Sequence, residues 1–294
     1  IVNHSLLLSD ISAGNHILPN FVDLVIDEAH HLEPAVTDGL SFEANKRTLN
    51  RVVADIIREK SGTLAQLQGQ TNSIPKNQRE GLDQHISKIK SDGELAEMRG
   101  QDFFTTLAYF MNGGERRRSD FAQQTRLTQD VRIDPIWEEV TSSWENLNLP
   151  LLSMVKELSK IFDGMDYILQ NYEIEDGELH KQNIGAAKKS LEDMRTNIDA
   201  IVMTPRDDFI YWAESFRDAL SIHAAPLHVG PLVEEHIFHK METVVLTSAT
   251  MRTSPAFGEE EPNFDYIRDR LKAESSYELA VGSPFDYKIG RAHV

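Results

Sequence analysis

The sequence predicts an α/β chain in which part of a parallel sheet is interrupted by a large all-α helical insertion. Two apolar runs and a pair of heptad stripes carry that reading. Val22, Leu24, Val25 and Ile26 form a nearly continuous apolar run that stops at Asp27, Glu28, Ala29 and His30, as a buried strand of a parallel sheet would. Thr243 to Leu246 is a second such run, ending in Thr247, Ser248, Ala249 and Thr250. Between them, Leu151, Val155, Leu158, Phe162, Met165, Leu169 and Tyr172 alternate steps of four and three, and so do Ile184, Ala187, Leu191, Met194, Ile198 and Ile201. The simplest arrangement places both apolar runs in one sheet, with the stretch from about Phe42 to Thr204 inserted between them.

Composition bounds the function. With 294 residues and 40% hydrophobic content, the chain can bury a sizeable core and has room for about two domains. No apolar run is long enough to cross a bilayer and no leader opens the chain. A net charge of −17 argues against a surface that grips nucleic acid everywhere and leaves room for a local basic groove. The absence of Cys excludes disulfides and thiolate clusters within these residues and fits a reducing compartment. Both ends read as cut. Ile1-Val2-Asn3-His4 looks like the end of a strand, and the final IGRAHV matches a common sequencing-adapter sequence read in frame, so native sequence is expected to stop near Tyr287.

Taken in order, residues 1–10 read as a short strand or helix before a turn-rich stretch with Gly14, Asn15, Pro19 and Asn20. Beyond Pro34, Leu49, Val52, Val53, Ile56 and Ile57 predict an amphipathic helix. A flexible loop rich in Gln, Ser, Thr and Gly should follow over 61–76. Leu82, Ile86 and Ile89 give a second short stripe, and Phe103, Phe104, Leu107, Phe110 and Met111 a third that ends at Asn112-Gly113-Gly114. Arg116, Arg117 and Arg118 form a basic patch, read first as a solvated charge run and second as a contact to a DNA backbone. An extended excursion near 121–133 precedes a helix marked by Ile136, Trp137, Val140, Trp144 and Leu147, whose helical phase assigns both Trp residues to the core rather than to base stacking. The polar turn Glu173 to Asn183 would fold the two heptad helices into an antiparallel hairpin. Past Pro205, Phe209 to Trp212 suggests a strand, and Pro231 to Phe238 a short helix before the second apolar run.

Chemistry concentrates where the first run ends. Two adjacent carboxylates at the C-terminal edge of a parallel strand suit nucleotide hydrolysis, one holding Mg²⁺ and the other handling the attacking water. His30, His31 and Glu33, or His236 and His239, lack a full ligand set at a recognised spacing, so surface or packing roles suit them better than a metal site.

DEAH at Asp27 to His30, TSAT at Thr247 to Thr250 and SPFDY at Ser283 to Tyr287 stand in the order found in superfamily 2 DNA helicases of the DinG and XPD type, which this chain resembles. VNHSLLL at Val2 to Leu8 and the stretch from Tyr211 through APLHVG resemble flanking segments of that family. The resemblance implies a partial RecA-like (P-loop NTPase) sheet interrupted by a helical arch. Residues 1–41 would be the first part of motor domain 1, 42–205 the arch, 206–256 the return to motor domain 1, 257–288 a link towards motor domain 2, and 289–294 the adapter remnant. It implies that Asp27 holds Mg²⁺, directly or through water, that Glu28 orients and deprotonates the water attacking the γ-phosphate, and that His30 bridges to Ser248 and Thr250 to couple hydrolysis to motor movement. ATP and Mg²⁺ are the implied ligands, and single-stranded and duplex DNA the implied partners, with 5′ to 3′ translocation in a bacterial cytoplasm.

The Gly-rich phosphate loop of that family is not among these residues, so the fragment alone is expected not to hydrolyse ATP. The iron–sulfur cluster that many relatives carry would lie upstream of Ile1. Two other readings compete: a helicase-like part of a nuclease-fused relative, and a helical protein-interaction module with a degenerate ATPase remnant. The intact Asp27, Glu28, Ser248 and Thr250 speak against degeneration.

Overall fold

The structure is a computed structural model that describes residues 1–12, 17–72, 74–113, 123–216, 219–253 and 262–282. It divides into two compact units, 1–40 with 228–294, and 41–227. The first unit opens with α1 (His4–Ser12), β1 (Asp23–Ile26) and α2 (Leu32–Leu40). The second holds β2 (Phe42–Asn45), α3 (Lys46–Ile57), α4 (Thr63–Thr71), α5 (Lys76–Met111), β3 (Gln123–Arg126), α6 (Gln129–Arg132), α7 (Pro135–Asn171), α8 (Gly177–Val202), β4 (Phe209–Phe216) and β5 (Ala219–Pro226). The chain then returns to the first unit through α9 (Gly230–Val233), β6 (Thr243–Leu246) and α10 (Asp265–Leu271). No helix among the described residues is long and apolar enough to cross a membrane.

In the first unit, β1 and β6 pair in parallel, Asp23 opposite Thr243 and Ile26 opposite Leu246. The mixed α/β character and the parallel pairing of the two apolar runs match the sequence reading, but their burial does not. Leu24, Ile26, Val244 and Leu246 turn to the core, whereas Val25 and Val245 are 67% and 43% exposed. Successive side chains alternate between faces, and only one face of this pair is covered. The core joins Leu7 and Leu8 of α1, Leu32 and Val36 of α2, Val229, Val233, Ile237, and Ile267 and Leu271 of α10. Residues 1–10 settle as a helix whose start is capped by Asn3, its Oδ1 accepting from Leu6 N at 2.8 Å. Buried Asp10 closes the chain after α1 by accepting from the backbone of Ile17 and Leu18.

The second unit departs from an all-α insertion. Four strands in the order β2-β5-β4-β3 form an antiparallel sheet, Trp212 pairing with His223 on one side and Arg126 on the other. The extended excursion near 121–133 and the strand at Phe209 to Trp212 supply β3 and β4, whereas the short, polar FEAN of β2 carries little period-2 signal beside long heptads and the joining of the four strands into one sheet is not written locally. Because β4 and β5 belong to this sheet, the chain leaves the second unit after Leu227 rather than near 205. Asn45 starts α3 with a capping box, its side chain accepting from Thr48 N and its N–H donating to Thr48 Oγ1, both at 2.9 Å.

The supposed loop at 61–76 contains α4, which buries Leu64, Leu67 and Thr71 at helical spacing. The second and third stripes are one helix, α5. Its apolar stripe lapses where α3 crosses it: a Cβ on Gly93 would lie 2.7 Å from Ile57 Cδ1, and one on Gly100 2.6 Å from Leu49 Cδ2. Likewise α7 runs unbroken through Pro150, joining two segments that the sequence reading kept apart. Trp144 and Trp137 are buried in the core, Trp144 Nε1 donating to Asp199 Oδ1 at 3.0 Å and Trp137 Nε1 to the Val202 carbonyl at 3.3 Å. The hairpin between α7 and α8 turns sooner than expected, restarting at Gly177, where a Cβ would sit 2.2 Å from Leu169 Cδ2.

Candidate functional site

The parallel ladder continues one step beyond both strands of the first unit. Thr247 N donates to the Ile26 carbonyl at 2.8 Å and Ala29 N to the Thr247 carbonyl at 2.9 Å. That step sets the ends of the two strands side by side, so the polar residues that follow each apolar run face one another. The Thr247 hydroxyl donates to Asp27 Oδ1 at 2.6 Å, and Glu28 N donates to the same oxygen at 2.9 Å. These two donors, the hydroxyl first, hold the Asp27 carboxyl below the usual carboxylate range, with a smaller contribution from the charge of His4. His4 Nε2 donates to the Asp27 carbonyl at 3.1 Å.

Glu28 takes a left-handed conformation, φ 50° and ψ 42°, at the point where β1 gives way to a 3₁₀ turn over Ala29–His31. A non-Gly residue there bears strain of about 1–3 kcal/mol, of the kind that collects at functional sites. The turn carries His30 back over the strand ends. Its Nδ1 lies 2.7 Å from Ser248 Oγ and 3.2 Å from Glu28 Oε2. Ser248 Oγ also accepts from Thr250 N at 3.1 Å. Asp27, Glu28, His30 and Ser248 therefore gather in one constellation, and Thr250 joins it through its backbone rather than its hydroxyl.

Asp27 fits a divalent cation in part. Its Oδ2 receives no hydrogen bond from the described residues, so an ionised carboxylate keeps one oxygen for a ligand. No cluster of three or more His, Asp or Glu side chains among the described residues could hold a metal. A Mg²⁺ ion at Asp27 would take its remaining ligands from water and phosphate oxygens, as this cation commonly does. Glu33 is committed elsewhere, to Arg270, whose Nε donates to its Oε1 at 2.7 Å. His239 lies 3.8 Å from Glu234, away from any such cluster.

Thr247 stands outside the roles that the resemblance implies, yet its hydroxyl makes the shortest contact to Asp27. The signal was its place: in a parallel pair, the residue just after one strand lies beside the residue just after the other. His4 carried no such signal. Arg116, Arg117 and Arg118 and the Ser283 to Tyr287 motif lie outside the described residues.

No family model matches the chain. It is similar to the 3′-5′ exonuclease DinG of Bacillus subtilis, 26% identical over 304 residues that cover 98% of this chain and 30% of that protein. The ATP-dependent DNA helicase DinG of Photobacterium profundum is 25% identical over 98% of the chain and 40% of its own length. The probable ATP-dependent helicase YpvA of Bacillus subtilis is 22% identical over 92% of the chain and 33% of its own length. The chain thus spans between 30 and 40% of the length of these relatives. Ordered motifs and similarity along nearly the whole chain agree, and the chain is DinG-like.

Proposed function

We propose that this chain belongs to an ATP- and Mg²⁺-dependent DNA helicase, with its first unit part of a RecA-like motor domain. The single observation that carries the reading is the coupled strand edge: Thr247 bonded to Asp27 and Ser248 bonded to His30 across the ends of β1 and β6. Asp27 would hold Mg²⁺ through water, and the ion would supply charge stabilisation to the phosphates of ATP. Glu28 orients the attacking water and takes its proton. His30, placed between Glu28 and Ser248, transmits the change at the phosphate to the second strand end, which is how hydrolysis drives movement along a strand. The outward Val25 and Val245 suit a parallel sheet larger than this pair, since such sheets are normally covered on both faces.

The second unit serves as the arch that borders the strand path. Translocation 5′ to 3′ in the bacterial cytoplasm follows from the family resemblance. The experiment is strand displacement by a full-length protein carrying this chain, on forked duplexes with single-stranded tails of either polarity. ATP-dependent displacement from a 5′ tail supports the reading; displacement without ATP, or none on either fork, contradicts it. A nuclease-bearing parent is the second reading, favoured by the relative named as an exonuclease. Release of nucleotides from a 3′ end without ATP would identify it.

A further inference from the structure

The chain has 47 acidic and 30 basic residues, and several arginines in it are neutralised by carboxylates, among them Arg79 with Asp83, Arg99 with Asp102 and Arg206 with Asp208. Arg47, Arg51 and Arg58 are different. All three are exposed, none has an ion-pair partner among the described residues, and together they line one cleft of about 530 Å³. Arg47 and Arg51 lie one turn apart on α3 and Arg58 is the residue that caps its C-terminus, and all three line the same cleft. Leu49, Val53 and Ile56 occupy the opposite side and anchor the helix in the core. The span from Arg47 to Arg58 is about 16 Å at about 1.5 Å per residue.

The rest of the cleft mixes Ala54 with polar residues in its lining. Thr48 and Asn50 line it from α3, and the buried Oδ1 of Asn50 has no hydrogen-bond partner. Glu97 of α5 is the one carboxylate in the lining. It lies between Gly93 and Gly100, the two positions where α5 closes on α3, so the close crossing shapes the wall of the cleft.

We infer that this cleft binds the phosphate backbone of single-stranded nucleic acid, the three guanidinium groups each taking a phosphate. The inference rests on the helicase reading and adds residues to it. Unpaired guanidinium groups match phosphate oxygens in bidentate geometry. At about 3.4 Å per phosphate along one strand of a duplex, a length of about 16 Å spans about five nucleotides.

The test is fluorescence anisotropy of labelled oligothymidylate with a full-length protein carrying this chain, from about 50 to about 200 mM salt. Each phosphate contact to a single strand contributes about 0.7 to the slope of log affinity against log salt. The triple variant Arg47→Ala, Arg51→Ala, Arg58→Ala should therefore lose about 2 from that slope and bind at least tenfold more weakly, with unchanged thermal melting. If the triple variant melts early, Arg51→Gln alone should lose about 0.7. A normal melt with an unaltered slope overturns the inference. Capture of polyglutamate by the parent protein and not by the variant, with the DNA slope unchanged, assigns the cleft to a protein partner and overturns it as well. A parent protein that binds no DNA at all overturns the helicase reading itself.

Discussion

Thr247 and Asp27, 220 residues apart in sequence, are joined by a hydrogen bond of 2.6 Å between hydroxyl and carboxylate. The parallel pairing of β1 with β6 produces that contact, and the contact holds the Asp27 carboxyl below the usual carboxylate range.

Thr247→Val removes the hydroxyl while preserving shape, so Asp27 should titrate higher than in the parent protein. The Asp27 carboxyl is held below its ordinary range, so its share of folded stability is present above the unfolded-state value. It is lost as pH falls through the folded one. Carbon-detected NMR titration of Asp27 checks the direction: an unshifted midpoint in the variant would remove Thr247 as the principal cause.

The left-handed backbone at Glu28 separates stability from activity. Glycine adopts that conformation without the steric cost of a Cβ, an advantage of about 1–2 kcal/mol partly offset by its greater unfolded freedom. Glu28→Gly should raise the stability of the first unit by about 0.5–1 kcal/mol while removing hydrolysis. Chemical denaturation measures the gain, and a loss of stability would mean that the Glu28 side chain contributes more than its backbone costs.

His30 and Ser248 should behave as one unit. His30→Ala and Ser248→Ala are each expected to reduce DNA-stimulated ATP turnover about tenfold, and the double variant little further. Interaction energies of about 0.5–3 kcal/mol are usual for directly bonded pairs. Additive losses in a double-mutant cycle would show that the 2.7 Å contact transmits nothing.

Trp144 is fully buried and bonded to Asp199, so Trp144→Ala should cost about 3–5 kcal/mol in the second unit. Gly93→Ala forces a methyl against Ile57 and should cost about 1–3 kcal/mol. Urea unfolding followed by circular dichroism tests both substitutions.

What the sequence disclosed follows from which signals are local. The apolar runs of β1 and β6, the heptads of α7 and α8, and the helical phase of Trp137 and Trp144 are all written in neighbouring residues. The unity of α5 was not, because Gly93 and Gly100 interrupt the apolar stripe where the partner helix α3 supplies the contact. Pro150 hid the unity of α7 in the same way, as a helix breaker that the surrounding packing tolerates. The sheet of the second unit depends on β2 and β3, four residues each, whose pairing is decided by register across the fold. At the site, Asp27, Glu28, His30 and Ser248 could be named from ordered motifs. The bond from Thr247 arises only when two strand ends meet, the contact of His4 only when α1 lies beside the end of β1, and the strain at Glu28 only in the turn that follows β1.

The most direct test of the account is Glu28→Gln in a full-length protein carrying this chain, with ATP binding and steady-state hydrolysis measured side by side. A water-activating base typically contributes about 10²–10⁴-fold. Turnover should fall by that much while ATP affinity stays within about twofold of the parent protein. Undiminished turnover would contradict the role of Glu28 and, with it, the reading of this strand edge as a site of nucleotide hydrolysis.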